Sequence, residues 1–386
     1  MRRFSNKDFF VDRDIRKAET LPDSALTDPE FLELELDTIF NKSWMLVPHG
    51  ATGNSTSLDE LLSKPGSRFP FSLLGKPLFL QRNSKREICC FPNVCTHAWH
   101  PLVESASAGG SIVCPQHGRE FDSDGRFVFH KGFEKLENFP RESDNLRRLK
   151  VENWGPLTAV CLGNPLASFK KILENVNESI PGIELESLKY QVVADEVREV
   201  DGNWKQHAWN YMDNYHIRFV HKGPGGLADA IDLDSYTTEL YENSALQWAY
   251  ARRREDGFDE QQVATRFRDP KNSDKRVLAL WWFIFPNLTL NFYPWGLSVN
   301  QYLPVHGRPD RTEFHWLQYS IDDAKFGQRN KIWLNEQVDA EDIEAISLVS
   351  KGAQSGFAPK GRFAPREELG PHWLHRLIYT TVFQES

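Results

Sequence analysis

The chain is poor in cysteine and has no long apolar run. It contains five cysteines in 386 residues, and its first twenty residues lack the apolar core of a secretory signal. An odd number of cysteines without a secretion signal argues against a disulfide framework. No segment approaches the roughly 18 apolar residues of a membrane helix. We therefore expect a cytoplasmic protein with no membrane partner, whose cysteines bind a metal or are simply buried.

Charge of one sign is not concentrated anywhere in the chain. Charged residues make up 26% of it and the net charge is -8, with no basic run and no acidic tail. A nucleic-acid partner is therefore not expected. No Gly-x-Gly-x-x-Gly fingerprint follows a strand-like segment, so the sequence predicts no dinucleotide site of its own.

Two kinds of local pattern divide the chain. Asp28 followed by Pro29 begins a run with apolar residues at helical spacing. Residues 45–165 contain short β-type runs separated by Gly, Pro, Asn and Asp, which is typical of a small antiparallel β-domain. Residues 166–386 combine long aromatic strands with helical segments. The sequence predicts an α+β protein with an N-terminal helical segment at 1–44, a β-domain at 45–165 and an α+β domain at 166–386.

Four candidate metal ligands lie in the β-domain. Cys95 and His97 form a Cys-x-His pair, and Cys114 and His117 follow as a Cys-x-x-His pair after sixteen intervening residues. Two cysteines and two histidines can hold a structural zinc ion. They can also hold a Rieske [2Fe–2S] cluster, in which the cysteines bind one iron and the histidines the other. Zinc fingers usually pair like with like, so two mixed pairs on two loops favour the two-iron cluster.

At these residues the chain resembles the Rieske proteins. Respiratory members carry an extra cysteine in each loop, and the two form a disulfide beside the cluster. The matching positions here are His100 and Gln116, so that disulfide cannot form. The resemblance therefore implies the lower-potential branch of oxygenases and Rieske ferredoxins. The other three cysteines, Cys89, Cys90 and Cys161, lie in β-type runs and are expected to be packing residues.

The two loops depart from the usual oxygenase pattern. Oxygenases have Arg-Gly after the first histidine and Gly-Trp after the second, whereas this chain has Ala98-Trp99 and Gly118-Arg119. We expect Trp99 or Arg119 to shield the cluster in place of the usual residues. The exchange can also shift the reduction potential.

A second group of candidate ligands follows in the α+β domain. Asn210, Asp213 and His216 occur at i, i+3 and i+6 and share one helical stripe. His221 comes five residues after His216, so the helix is expected to end or bulge between them. Histidine is the commonest transition-metal ligand. Two solvated histidines at a helix end are the plain alternative.

A carboxylate in a later helix favours the metal interpretation. Asp342 shares the apolar stripe of the segment NEQVDAEDIEAISLVSKG, and burying a carboxylate is costly unless it is paired or metal-bound. That stripe consists of Val338, Ile346 and Val349. The neighbouring Glu341 and Glu344 are expected to be solvated. Two histidines and one carboxylate form the facial triad of non-haem Fe(II) oxygenases.

Together, the two groups resemble the Rieske non-haem iron oxygenase α subunits. The resemblance covers nearly the whole chain, from "ETLP…DPEF…IFNKSW" to "FPNLTLNFYPWGLSVNQYLPV". It implies a helix-grip catalytic domain and a mononuclear Fe(2+) held by His216, His221 and Asp342. Family members are commonly ring-shaped trimers, so a homotrimer or higher homo-oligomer is expected.

The resemblance also implies roles for two further residues. Asp213 matches the family's bridging carboxylate, which would hydrogen-bond His216 and, in a neighbouring subunit, His117. It would thereby connect the cluster of one chain with the iron of another. Asn210 is expected to line the iron site.

The implied activity is reductive activation of O2 for hydroxylation of a small molecule. Electrons would come from a separate NAD(P)H-dependent reductase of the flavin or ferredoxin type. The chain itself has no flavin or nicotinamide fingerprint, and it has too few cysteines for a plant-type ferredoxin cluster. Two other classes stay open. A Rieske electron carrier would need only the first domain, and a zinc-stabilised binding protein would be colourless.

The substrate prediction rests on aromatic residues. The candidates for the pocket are Trp209, Trp281, Phe283, Tyr293 and Trp295. Aromatic cages bind quaternary ammonium groups by cation–π attraction, and the segment from Phe285 resembles the branch that oxidises choline, carnitine and betaines. The alternative is an aromatic-ring-hydroxylating dioxygenase, whose pocket would also be aromatic.

Overall fold

The computed structural model describes residues 4–48, 57–191, 196–221, 227–332 and 335–383. They form two compact units, one of residues 41–169 and one that joins residues 1–40 to residues 170–386. No helix in the described ranges is long and apolar enough to cross a membrane. The mixture of helices and antiparallel sheets confirms the predicted α+β class.

Twelve α-helices and seventeen strands occur in the described ranges. The helices are α1 (Asn6–Phe9), α2 (Ser24–Thr27), α3 (Pro29–Thr38), α4 (Leu58–Leu61), α5 (Phe169–Ile172), α6 (Glu174–Ser179), α7 (Trp204–Met212), α8 (Ile217–Val220), α9 (Leu227–Ala230), α10 (Asp323–Ile332), α11 (Asn335–Ala353) and α12 (Leu369–Phe383). The strands are β1 (Met45–Leu46), β2 (Arg68–Leu73), β3 (Lys76–Arg82), β4 (Ile88–Pro92), β5 (Ile112–Val113), β6 (Glu120–Phe121), β7 (Phe127–Phe129), β8 (Lys150–Trp154), β9 (Leu157–Cys161), β10 (Lys189–Tyr190), β11 (Glu196–Asp201), β12 (Thr237–Leu240), β13 (Ser244–Tyr250), β14 (Val277–Ile284), β15 (Leu288–Tyr293), β16 (Gly296–Val305) and β17 (Arg308–Ser320).

The unit of residues 41–169 is built from three small antiparallel sheets. Their strand orders are β1-β9-β8, β2-β3-β4 and β5-β6-β7. Cys89 packs with Phe79 and Phe91 in the core, and Cys90 and Cys161 are equally buried. Burial raises the pKa of the Cys89 thiol to about 11, so this side chain is a neutral packing group. The predicted packing role of the three remaining cysteines therefore agrees with their placement.

The larger unit is an antiparallel sheet with helices packed on it. The strand order is β10-β17-β16-β15-β14-β13-β12, and β11 pairs with β17 as an eighth strand. Helix α7 contacts α11, α12 and β16. This places α7 between the sheet and the two long helices, so residues that follow α7 face residues of α11.

The N-terminal helices belong to this larger unit, which differs from the predicted separate segment at 1–44. Helix α3 packs on α12, and Phe9 stacks on Phe31 at 4.6 Å between ring centroids. The apolar face of α3 needs a cover, and α12 supplies it from the far end of the chain. The unit boundaries fall after residues 40 and 169, a few residues from the predicted 44 and 165.

Candidate metal centres and substrate cavity

The first predicted ligand pair lies on a tight loop after β4. The Cys95 N–H donates to the His100 carbonyl at 2.9 Å, and the Trp99 N–H donates to the Cys95 carbonyl at 3.1 Å. Trp99 adopts a left-handed conformation with φ of +64°. For a non-glycine residue this conformation costs about 1–2 kcal/mol of conformational free energy. The side chain of Trp99 is nevertheless 79% exposed, so its packing contacts offset little of that free energy.

The second pair lies on a loop of the same construction. The Cys114 N–H donates to the Arg119 carbonyl at 2.8 Å, and the Gly118 N–H donates to the Cys114 carbonyl at 2.9 Å. Gly118, four residues after its cysteine, has a φ of +69°. It therefore occupies the same left-handed position as Trp99 does in the first loop. Glycine is the residue that this position favours.

The four predicted ligands face one another across the two loops. Cys95 and Cys114 are buried, and the rings of His97 and His117 lie 4.9 Å apart. Burial, followed by the neighbouring Cys114 thiol, raises the pKa of Cys95. Burial also lowers the pKa of His97, which keeps its imidazole neutral as a metal ligand must be. The buried Nδ1 of His97 has no hydrogen-bond partner within the described part of the chain, so this set fits a [2Fe–2S] cluster.

Arg119 and Trp99 differ in their relation to this site. Arg119 is buried and donates to Asp144 at 2.8 Å and to Thr96 at 3.0 Å. Its guanidinium lies among three aromatic rings, those of Phe127, Phe133 and Phe139. Because Thr96 lies between the first cysteine and the first histidine, Arg119 ties one loop to the other. Of the two residues predicted to shield the cluster, Arg119 is placed inside the unit and Trp99 projects into solvent.

The second group of ligands flanks a break between two helices. Helix α7 ends at Met212, and Asp213 leaves it in an extended conformation. The Asp213 side chain then accepts the backbone N–H of Tyr215 at 2.6 Å, which closes a turn. His216 precedes α8 and His221 follows it. The helix was predicted to end or bulge between His216 and His221, but the break lies before His216, and the short helix α8 occupies the interval between the two histidines. Asn210, Asp213 and His216 therefore do not share one continuous helical stripe, because Asp213 already adopts an extended conformation.

Asp342 of α11 completes a triangle of possible ligand atoms. The Nε2 atoms of His216 and His221 are 3.2 Å apart, and the Asp342 Oδ1 lies 3.5 Å and 3.1 Å from them, respectively. A metal ion with bonds of about 2.1 Å at angles near 90–109° needs ligand separations of about 3.0–3.4 Å. The buried Asp342 Oδ1 has no hydrogen-bond partner among the described residues. The donor set and its spacing therefore fit a single metal ion bound on one face.

Electrostatics couple the three groups. Burial alone would lower the pKa of His216, but the carboxylates of Asp213 and Asp342 outweigh burial and raise it to about 9. Burial alone would raise the pKa of Asp342, but the two imidazoles lower it to about 2. Without a metal, the protonated histidines and the ionised Asp342 form ion pairs. A metal cation that binds there takes the place of the protons on the imidazoles.

Comparison with known proteins decides the family. The model of the ring-hydroxylating α-subunit catalytic domain matches residues 187–382, about half of the chain, and the Rieske [2Fe–2S] domain model matches residues 56–140. The chain belongs to the ring-hydroxylating α-subunit family. It is a Rieske non-haem iron oxygenase, which confirms the predicted class, the [2Fe–2S] cluster and the mononuclear iron.

Several relatives cover nearly all of the oxygenase. A carnitine monooxygenase oxygenase subunit from Acinetobacter pittii is 26% identical over 97% of this chain and 95% of its own length. A chloroplastic choline monooxygenase from Arabidopsis thaliana is 28% identical over 95% of this chain and 83% of its own length. A solved quaternary ammonium Rieske monooxygenase, described with inter-subunit electron transfer, has a TM-score of 0.74, 22% identity and 98% coverage of both chains. The last comparison concerns the fold alone.

Glu341 of the oxygenase was predicted to be solvated, and this prediction is wrong. Its Oε2 accepts a hydrogen bond from His221 Nδ1 at 2.8 Å, and its side chain is only 27% exposed. Glu341 and Asp342 are adjacent on α11, and the His221 ring inserts between their carboxylates. This hydrogen bond fixes the ring orientation and leaves Nε2 directed at Asp342. The helical stripe could not reveal it, because it depends on where His221 enters from another element.

The apolar stripe of α11 also differs from the prediction at one end. Val338 and Ile346 line the cavity described below, together with Ile343. Val349 is 58% exposed, and Glu344 is exposed as predicted. Val349 therefore does not belong to the covered stripe, although the next residue, Ser350, is buried.

Asp213 lies beside His216 at a longer distance than predicted. Its Oδ2 is 3.5 Å from His216 Nδ1, which is the range of an ion pair and long for a hydrogen bond. Asp213 and Asn210 both line the cavity next to the triad. The predicted contact of Asp213 with a neighbouring subunit stays a prediction.

A cavity of about 120 Å³ adjoins the triad. Five of its wall residues are aromatic side chains that the sequence did not single out for the pocket, namely Tyr211, Tyr236, Tyr302, Phe314 and Trp316. Of the five predicted aromatics, Trp281 and Tyr293 line the cavity. Trp209, Phe283 and Trp295 pack elsewhere, against Phe363, Trp373 and Phe326, respectively.

The sheet register explains which residues reach the cavity. Ser298, Asn300 and Tyr302 alternate along β16, and all three line the wall. Their neighbours across the strands do too, since Asn300 pairs with Trp316 and Tyr302 pairs with Phe314. One face of the sheet therefore forms the wall opposite α11.

Proposed function

We propose that the oxygenase hydroxylates a small trimethylammonium compound of the choline, carnitine or betaine type. The observation that carries this proposal is the aromatic wall beside the triad. Trp281 and Tyr236 stack at 5.8 Å between centroids, and the Trp281 Nε1 donates to the Tyr293 hydroxyl at 3.1 Å. Aromatic faces attract quaternary ammonium groups by cation–π interaction, most strongly where water is excluded. The names of the carnitine and choline monooxygenase relatives point to the same substrate class.

The phenols of this wall act as neutral groups. Burial is the main cause that raises the pKa of Tyr236, Tyr293 and Tyr302 above the ordinary value of 10. They therefore present ring faces and hydroxyl dipoles to a bound cation, and they do not exchange protons with it near neutral pH. This environment suits a permanently charged substrate that has no proton to lose.

The residues around the iron site have different roles in binding the metal, orienting its ligands and positioning the substrate. His216, His221 and Asp342 would hold the iron on one face, Asp213 lies against His216, and Glu341 orients His221. When bound, the iron would supply activation of O2 and the [2Fe–2S] cluster would supply electrons. The buried aromatic wall orients the substrate and excludes water from the reacting C–H bond.

The proposed reaction balances as a monooxygenation. One oxygen atom of O2 converts a C–H bond into C–OH, and the other leaves as water with two electrons and two protons. Hydroxylation of an N-methyl group gives a carbinolamine, which collapses to the tertiary amine and formaldehyde. Hydroxylation of an alcohol carbon gives an aldehyde hydrate.

The electron supply requires partners. We infer a separate NAD(P)H-dependent reductase and a homotrimer in which His117 of one copy approaches Asp213 of the next. The solved quaternary ammonium monooxygenase of the same fold is described with inter-subunit electron transfer, which supports electron transfer between copies of the chain. We place the reaction in the cytoplasm, where thiols outside the cluster, those of Cys89, Cys90 and Cys161, stay reduced.

Variants of Trp281 test the substrate class. Trp281→Leu removes a cation–π partner worth about 1–2 kcal/mol, so KM for the trimethylammonium substrate is expected to rise about tenfold. Trp281→Phe keeps an aromatic face and is expected to recover most of that loss. Equal effects of both variants would contradict a cation–π role for this wall.

A further inference from the structure

One acidic residue of the cavity has no part in the reaction described so far. Asp339 lies on α11 three positions before Asp342, and it lines the same cavity. Residues at i and i+3 of a helix occupy one face, about 5–6 Å apart at their Cβ atoms. The Asp339 carboxylate is therefore placed one helical turn from the triad, on the face that meets the aromatic wall.

Asp339 also interacts electrostatically with two tyrosines of the aromatic wall. The negative charge of Asp339 contributes, after burial, to the raised pKa of Tyr293 and Tyr302. These tyrosines stand on β15 and β16, on the opposite side of the cavity from α11. Asp339 therefore lines the same cavity as the two tyrosines and the triad, and its charge acts on both tyrosines.

We propose that Asp339 is a specificity-determining residue, which binds the positive headgroup of the substrate and repels substrates that also carry a carboxylate. The preferred substrate class is then a quaternary ammonium alcohol or alkyl compound, such as choline, rather than a zwitterion such as carnitine or glycine betaine. This inference rests on the proposed function and selects among the substrates that it includes.

The charges around the cavity agree with this selection. Asp213 and Asp339 supply carboxylates to the wall besides Asp342, whose charge the iron would offset, and lysine and arginine are absent from the lining residues that the structure describes. A cation enters such a site with favourable Coulomb energy, which is large where water is excluded. A substrate carboxylate a few bonds from the cation lies close to Asp339 and offsets that gain.

The test compares binding and turnover of charged and neutral ligands by the iron-loaded oxygenase. Binding is measured without oxygen by calorimetry for choline, for carnitine and glycine betaine, and for the neutral carbon isostere of choline, in which a tert-butyl group replaces the trimethylammonium group. The steady-state kcat/KM is measured with reductase for the three charged compounds. The variants are Asp339→Asn, Asp339→Glu, and Glu344→Gln as an exposed control on the same helix that also loses one charge.

The expected result is a choline preference that depends on the charge at residue 339. The wild type binds choline at least tenfold more tightly than the zwitterions. Asp339→Asn weakens choline about tenfold or more, leaves the neutral isostere within twofold and does not weaken the zwitterions. Asp339→Glu and Glu344→Gln keep the wild-type order.

Three outcomes would overturn the inference. The first is equal weakening of choline and its neutral isostere by Asp339→Asn, which would indicate a packing role. The second is a wild type that binds the zwitterions more tightly than choline. This outcome is measured on the wild type alone, and it would leave the proposed function intact. The third is a wild type that binds and oxidises aromatic acids but none of the ammonium compounds, which would remove the proposed function and this inference together.

Discussion

Replacing Glu341 by glutamine tests whether a carboxylate outside the triad sets the affinity of the iron site. The change removes the charge and keeps the shape and one acceptor oxygen. The hydrogen bond to His221 Nδ1 measures 2.8 Å, and the His221 side chain is 1% exposed. A hydrogen bond to a charged group contributes about 1.5–3 kcal/mol, against about 0.5–1.5 for a neutral one.

The difference predicts a loss of about 1–1.5 kcal/mol in metal binding, or roughly tenfold in affinity. This lies at the lower end of the roughly 10–100-fold typical for groups that support metal-bound histidines. The lower end is appropriate because Glu341 is 27% exposed, and water screens part of its charge.

The assay is a competition titration of metal-free protein with Co(II) against a chelator of known affinity, followed by the visible spectrum. Glu344→Gln is the matched control, since Glu344 lies on the same helix and is exposed. Glu341→Ala should weaken Co(II) at least as much as the glutamine variant. If Glu341→Gln and Glu344→Gln bind Co(II) equally, then Glu341 does not support His221 as described.

Three further predictions concern stability and protonation. In the metal-free protein, His216 has a pKa of about 9 against 6.5 when unfolded, so its pairing stabilises the fold fully below pH 6.5 and is lost as pH rises through 9. The free energy of unfolding measured with urea should therefore fall by at most about 3.4 kcal/mol over that window, and Asp342→Asn should flatten this pH dependence. Lys205→Met removes the cation that now lies 2.7 Å from the buried Glu35 carboxylate, at 1% and 0% exposure, and leaves it the hydrogen bond from the Trp204 indole at 3.2 Å. The uncompensated charge should cost about 3–5 kcal/mol in thermal unfolding. The double variant with Glu35→Gln should recover much of that loss, and failure to recover would contradict the pairing. Trp99→Gly relieves a φ of +64°, which costs about 1–2 kcal/mol, and adds about 0.5–1 kcal/mol of glycine entropy in the unfolded chain, so it should stabilise the cluster domain by about 0.5–1 kcal/mol. Thermal bleaching of the cluster measures this, and an equal effect of Trp99→Ala would refute backbone strain as the cause.

The candidate metal ligands could be selected from the sequence because metal sites restrict residue type and spacing together. The four ligands on two short loops and the two histidines five residues apart are local patterns, and the structure brings each group together. Local capping was equally readable. Asp28 accepts the Glu30 N–H at 2.8 Å at the start of α3, as the Asp-Pro pair indicates.

Residues that act across distant elements were not predictable in the same way. The contact of Glu341 with His221 depends on the approach of α8 to α11, and a single helical stripe carries no information about it. The N-terminal helices pack on α12, which lies more than 300 positions later in the chain. Such long-range packing leaves no local signal.

The cavity wall was misjudged because its strands are buried on both faces. Every residue of β14 and β15 is buried, so the alternation of polar and apolar residues that marks the face of a half-buried strand is erased. Aromatic content alone then selected Phe283 on β14, which packs against Trp373. Trp209 on α7 and Trp295 in the turn after β15 lie outside these strands, and no local pattern showed that they do not line the cavity. The alternating polar residues Ser298 and Asn300 on β16 were the signal that could have identified the correct face.

The measurement that tests the central claim most directly is a single turnover without reductase. The oxygenase is loaded with iron, fully reduced without oxygen, mixed with choline, carnitine or an aromatic acid, and then exposed to O2, and the products are identified by mass spectrometry. We predict an aldehyde or formaldehyde from a trimethylammonium compound in an amount close to one per oxygenase chain, and its loss in Asp342→Asn. A hydroxylated ring or a cis-diol from the aromatic acid, with every trimethylammonium compound unchanged, would contradict the proposed function.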